Sequence, residues 1–262
     1  MPFEIPNFAH RAALTEWMDE PCSYEDYRAC LHDLERVNRT LFAYRPTLAW
    51  IDRFLRSGGG PLRVVDVGCG GGDMLRRIEA RSRAFGAAVR LTGIDLNPYA
   101  ARAAREFTPP ASSIEWITGD CFALPASEPV DLVVSSLFTH HLGDEEIVRF
   151  LAWMEERSRL GWFINDLRRQ PFSYYGFAAL ATLLRWHRFV RHDGPASIRR
   201  SFSRADWLRY AEAAGLPAWD LQIEEKLPGR LCVGRVKLLA APQPHPPANA
   251  RVNPRVNPGA KR

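Results

Sequence analysis

The stretch Val64–Leu75, VVDVGCGGGDML, places an apolar run, a cluster of glycines and an acid end to end. The apolar run reads as a strand, the glycines as a tight turn, and the acid as the first residue of a helix. Turns of this kind usually bring backbone N–H groups to a phosphate. A dinucleotide site asks for GxGxxG, and counted from Gly68 the third glycine position is 73, where Asp73 stands. A carboxylate there repels pyrophosphate while favouring the helix dipole. No GK[ST] follows, so the P-loop pattern fails as well.

Outward from this turn the chain alternates strands and helices. DMLRRIEARSRAFG is a helix ended by Gly86, AVRLTGID a second strand, and PYAARAAREF a helix with Pro98 in its first turn. SIEWITGD and VDLVVSSLF are the third and fourth strands. DEEIVRFLAWMEERSR is a helix whose early acids suit its dipole, and LGWFIND is the fifth strand. The helix RADWLRYAEAAGL precedes WDLQIEEKLPGRLCVGRVKLLA, which reads as two closing strands around a Pro-Gly turn. Apolar strands alternating with helices predict an α/β fold, with a mostly parallel sheet covered on both faces and ligands at the carboxyl ends of its strands. Residues 25–56 carry helical spacing, divided at Pro46. We expect three parts: a helical extension over 1–57, the main domain over 58–240, and a tail over 241–262. A segment at 171–204, too long for a simple loop, breaks the rhythm of the main domain and is expected to cover the strand ends as a helical lid.

The bulk numbers narrow the function. The net charge is +5 over 262 residues, but the final 22 carry four basic groups and no acid. Residues 1–240 are left with 31 basic and 30 acidic groups, which gives no sign of a nucleic-acid surface. The tail repeats RVNP, is rich in proline and is expected to be disordered. No run of about 18 apolar residues predicts a membrane span, and the first 20 residues do not read as a signal peptide. Five scattered cysteines without a CxxC pair fit reduced cytoplasmic thiols and argue against a zinc or disulfide framework. Nothing fixes an oligomeric state.

The glycine turn suits a ligand with an adenosine but no phosphate at that point. S-adenosylmethionine (SAM) is such a ligand: a cation carrying an amino acid in place of a phosphate chain. VVDVGCGGGDML resembles the first signature of class I SAM-dependent methyltransferases, and three further features of that family follow in order over about residues 62–167. LTGIDLNPYA carries Asp95 at a strand end, GDCFALP carries Asp120 and Cys121, and DLVVSSLFTHHL resembles the motif lining the methyl-transfer site. The resemblance implies a Rossmann-like, mostly parallel seven-strand sheet. It also implies roles in holding SAM. Gly68 and Gly70 would shape the loop, Asp66 would reach the methionine amino group, and Asp95 with Leu96 would meet the ribose. Asp120 and Cys121 would sit beside the adenine, with Ser136 near the methyl group. Arg39, in RVNRTL, is a candidate for the cofactor carboxylate. The wider pattern is similar to bacterial small-molecule methyltransferases of quinone and polyketide biosynthesis.

His140 and His141 follow the fourth strand. Imidazole titrates near neutral pH, so either could take a proton from an attacking hydroxyl, with His141 slightly favoured. Asn165 and Asp166 end the fifth strand and could orient substrate. They could also hold a divalent metal, although the fourth-strand position has histidines where a hard cation prefers an acid, so no metal is expected. The lid holds Arg185, Arg188, Arg191, Arg199, Arg200 and Arg204 against Asp193, interleaved with aromatics. It reads either as a solvated face or as a cover for an aromatic, acidic or carrier-bound substrate. The expected activity is methylation of a small-molecule hydroxyl, phenolic or polyketide-like. The alternatives are C- or N-methylation, or a SAM-binding protein without turnover. Methylation of RNA would need a continuous basic patch on the lid.

Overall fold

The computed structural model describes residues 6–57 and 60–237. Its sheet contains β1 (Leu62–Val67), β2 (Val89–Asp95), β3 (Glu115–Thr118), β4 (Val130–Ser136), β5 (Ser158–Leu167), β6 (Gln222–Lys226) and β7 (Arg230–Val236). The strand order is β3-β2-β1-β4-β5-β7-β6, and β7 alone runs against its neighbours. This is the seven-strand, mostly parallel sheet that the alternation predicts. The order reverses between β1 and β4, so the switch point lies beside the glycine turn.

Both faces of the sheet are buried, and successive residues of a strand serve opposite cores. Val65 and Val67 pack in one cluster with Val133, Trp162, Ile164 and Trp207; Leu62 and Val64 pack in the other with Leu132, Phe163 and Cys232. The near-continuous apolar reading of these strands follows from that burial. Helix α1 is Tyr24–Thr40 and α2 is Arg45–Leu55, with Pro46 in the first turn of α2. Trp50, Ile51 and Leu55 of α2 lie in the second cluster beneath the sheet. Helix α3 (Asp73–Phe85) starts after Gly72 at φ 74° and stops at Gly86 at φ 64°. Both glycines take the left-handed turn that other residues resist. Helix α4 (Ala100–Phe107) begins two residues beyond Pro98, behind an Asn97 side chain that accepts from Tyr99 N–H. Helix α5 (Asp144–Arg157) opens with Asp144, Glu145 and Glu146.

The segment 171–204 forms two helices, α6 (Pro171–Leu183) and α7 (Arg188–Arg200), ahead of α8 (Arg204–Ala213). Trp186, Phe189, Val190 and Ala181 of this segment pack with Cys30 and Val37 of α1. The N-terminal helix and the lid therefore form one cap. The chain before α1 is stapled across it: Trp17 and Met18 N–H donate to Asp193, and Ala12 N–H donates to the Arg199 carbonyl. Among the described residues, no helix is long and apolar enough to cross a membrane. The tail expected over 241–262 lies outside the described residues.

Candidate active site

A cavity of about 710 Å³ opens between the carboxyl ends of β1, β2, β4 and β5 and the cap. On its β1 side, Gly68 stands at φ 71°, and a Cβ there would come within 2.4 Å of the Phe138 ring. Only glycine lets the loop pass so close. Gly68 and Cys69 N–H donate to the Ile94 carbonyl, and Gly70 N–H donates to Asp95 Oδ2 at 2.8 Å. Asn97 N–H donates to Asp95 Oδ1 at 2.9 Å. Asp95 thus ties the first turn to the second, and each oxygen keeps a lone pair for a hydroxyl donor. Burial raises its carboxyl above the ordinary range despite the two backbone donors that act to lower it.

Asp66 is buried, lines the cavity, and leaves Oδ1 without a hydrogen-bond partner among the described residues. Burial first, then Asp73 and Asp95, push its carboxyl well above the usual range. Asp73 accepts from Tyr44 Oη at 2.5 Å and from Asn38 Nδ2 at 3.4 Å. The acid in the phosphate position is therefore a joint between α3 and the two N-terminal helices. Three carboxylates surround one turn, which suits a cationic ligand and opposes pyrophosphate. An orphaned buried carboxylate oxygen calls for a charged donor such as an ammonium group. The residues present fit SAM.

The opposite wall carries the candidate chemistry. A short 3-10 turn, Thr139–His141, follows β4. Asp166, fully buried at the end of β5, accepts from Thr139 Oγ1 at 2.5 Å, His140 N–H at 3.1 Å and Leu167 N–H at 2.7 Å. Its Oδ1 lies 2.7 Å from His140 Nδ1. Burial alone would raise this carboxyl, but the His140 ring and the other donors outweigh it and bring it down to about 2. An ionised Asp166 can only accept, so Nδ1 of His140 carries a proton and Nε2 of the neutral ring carries the lone pair. Nε2 lies 3.7 Å from Glu16 Oε1. His141 is turned the other way: its Nδ1 meets Asp19 at 3.0 Å, and its Nε2 lies 3.8 Å from Glu16 Oε2.

Glu16 comes from the irregular stretch before α1, and sequence reading missed it. It is buried, accepts from Ser197 Oγ at 2.8 Å, and is raised to about 7, chiefly by burial. Arg200 Nη1 stands 3.2 Å from Glu16 Oε1 and 2.9 Å from Asp19. Glu16, His140 and His141 each offer a ligand atom within 4.8 Å of the others, a cluster into which Arg200 already brings positive charge. No local pattern marks Glu16, because its neighbours reach it only through tertiary packing.

Other expected residues divide. Leu96 and Ser136 line the cavity; Leu96 is 67% exposed, and Ser136 Oγ lies 3.5 Å from Thr47 Oγ1. Asp120 and Cys121 do not line it, contrary to their expected places. Asp120 caps the next turn by accepting from Phe122 N–H, and Cys121 belongs to the core cluster of Val67 and Ile94. Gly119 N–H still donates to the Asp95 carbonyl, which keeps this segment next to that acid. Arg39 is exposed and absent from the cavity wall, so its assignment is corrected. Helical spacing turns Glu35 and Asn38 to the cavity and Arg39 to solvent. The lid arginines do not line the cavity either. Arg188 pairs with Asp26, Arg204 donates to the Ile223 carbonyl, and the lid meets the cavity with Phe172, Phe177, Leu180, Val190 and Ile198. Asn165 donates from Nδ2 to the Ala43 carbonyl and to Thr47, a structural tie between β5 and α2.

Residues 64–161 match a family model described as a methyltransferase domain. No curated protein matches the sequence. Among solved structures, the plantazolicin methyltransferase BpumL in complex with SAH is 15% identical with a TM-score of 0.59, over 81% of this chain and 95% of that one. The plantazolicin methyltransferase BamL, with a triazolic desmethylPZN analogue and SAH, is 13% identical with a TM-score of 0.60, over 83% and 91%. Human N-acetylserotonin methyltransferase in complex with SAM is 15% identical with a TM-score of 0.57, over 82% of this chain and 56% of that one. At these identities the likeness is one of fold. Residues 64–161 thus match a methyltransferase domain, on a fold shared with these methyltransferases, and the acid-lined glycine turn fits a cationic ligand such as SAM.

Proposed function

We propose that this enzyme methylates a hydroxyl of a small, largely apolar acceptor, phenolic or polyketide-like, with His140 as the general base. The observation that carries the reading is the buried Asp166–His140 pair at the cavity wall. Bound SAM supplies an electrophilic methyl group on a sulfonium. Asp66 and Asp95 hold the cofactor side. Nε2 of His140 accepts the hydroxyl proton, and the ionised Asp166 steadies the resulting imidazolium. Weight passes from His141 to His140 because His141 is partly exposed and its Nδ1 partner, Asp19, also pairs with Arg200. The aromatic and aliphatic face of the lid favours an apolar acceptor and excludes water. Arg200 supplies the positive charge near Glu16, so the proposed reaction uses no metal. The free cysteines are consistent with a cytoplasmic enzyme.

The test is a screen of phenols, quinols, polyketides and carrier-bound acyl groups with trideuteromethyl-labelled SAM, read by mass gain and by the position of the label. An O-methyl product is expected. His140→Ala should lower turnover by about 10²–10⁴ while SAH affinity holds, and His141→Ala should cost far less. Label on carbon or nitrogen, or full turnover in His140→Ala, would overturn this assignment.

A further inference from the structure

Two buried residues, one acidic and one basic, line the same cavity, and each has a buried polar atom without a partner among the described residues: Asp66 Oδ1 and Arg230 Nη1. Arg230 opens β7 and pairs in register with Leu167 at the end of β5. Arg230 is 3% exposed. Arg230 Nη2 lies 3.5 Å from Asn38 Oδ1, and Asn38 Nδ2 lies 3.4 Å from Asp73 Oδ2. The guanidinium therefore reaches back from the last strand to the turn between β1 and α3. Asp166 and Asp73 balance its charge from a distance, yet neither accepts from Nη1. Arginine cannot shed its proton in a protein, so a buried free N–H of this kind asks for an anionic acceptor.

We propose that Arg230 binds the carboxylate of the cofactor's methionine moiety. This deepens the SAM assignment and does not depend on which acceptor or base is used. A zwitterionic amino acid has one group for each orphan, and the ammonium goes to Asp66. The site also explains how the cap and the far end of the sheet bear on the cofactor, since Asn38 of α1 and Arg230 of β7 meet there. An acceptor carboxylate is the competing source of the same chemistry.

Calorimetry with SAH and with its analogue lacking the carboxylate separates the two. The wild type should bind SAH tighter than the decarboxylated analogue by on the order of 10- to 100-fold. Arg230→Gln should bind both alike, near the wild-type affinity for the analogue, and Arg230→Lys should recover part of the preference. Equal binding of the two ligands by the wild type overturns the proposal, even if the variants fail to fold. Preserved preference in folded Arg230→Gln overturns it too. So does benzoate binding to the SAH-saturated enzyme with loss in Arg230→Gln, which would give the guanidinium to the acceptor.

Discussion

Asp166→Asn keeps the shape of the group that holds His140 but changes what it offers the ring. An amide can donate to Nδ1, which moves the imidazole proton to Nε2 and removes the lone pair on that nitrogen. Turnover should fall by about 10²–10⁴ while SAH affinity is unchanged; single-turnover rates and calorimetry separate the two. Undiminished turnover in folded Asp166→Asn would mean that the pair is structural. Glu16 gives a pH-dependent counterpart. Its folded value of about 7 stands above an ordinary glutamate, so the folded state holds its proton more tightly than the unfolded chain does. The stability from this group is complete below about pH 4.5 and is lost as pH rises through about 7. Glu16→Gln mimics the protonated form, so it should match the wild type near pH 4 and gain on it up to pH 8, by on the order of 1–3 kcal/mol. Denaturant melts across that range check the sign. A gap that closes as pH rises would contradict a buried, reluctant carboxyl at residue 16. Asp66, Gly68, Gly70 and Asp95 were legible in the sequence because a strand, its turn and the next strand end place them by local spacing alone. Glu16 and Arg230 were not, since each reaches the cavity only through distant packing.

The strands and sheet-covering helices were legible for a physical reason: a sheet buried on both faces needs continuous apolar runs, and those runs alternate with amphipathic helices. The segment 171–204 stands out in the sequence as an interruption, and its arginines lie off the cavity that its apolar side chains meet. Its two helices close on each other at Gly194 of α7, where a Cβ would come within 1.9 Å of Cε1 of Phe177 on α6. Phe177 lines the cavity. Gly194→Ala should therefore part the lid helices and move that ring, leaving the sheet and the glycine turn intact. The expected result is a raised KM for the acceptor with SAH affinity within about twofold of wild type, since the cofactor side lies on other elements. Proteolysis within 171–204 should quicken in the same variant. Unchanged acceptor kinetics would show that the α6–α7 contact does not shape the acceptor site.

At the scale of the whole molecule, the cavity joins parts that are far apart in sequence. Its wall includes Glu16 before α1, Asp66 and Asp95 on the central strands, His140 after β4, Ile198 on the lid and Arg230 on the last strand. A ligand held in this cavity should stabilise the fold, because binding to the native state alone shifts unfolding by mass action. At 100 times its dissociation constant, SAH should add about 2.7 kcal/mol, which for a chain of this size is a rise of roughly 5–10 °C in Tm. NAD at the same concentration should give no rise, because Asp66, Asp73 and Asp95 crowd the turn on which pyrophosphate would rest. Scanning calorimetry with each ligand decides the matter. A shift with NAD equal to that with SAH would mean that Asp73, tied to Tyr44 and Asn38, leaves room for a phosphate after all.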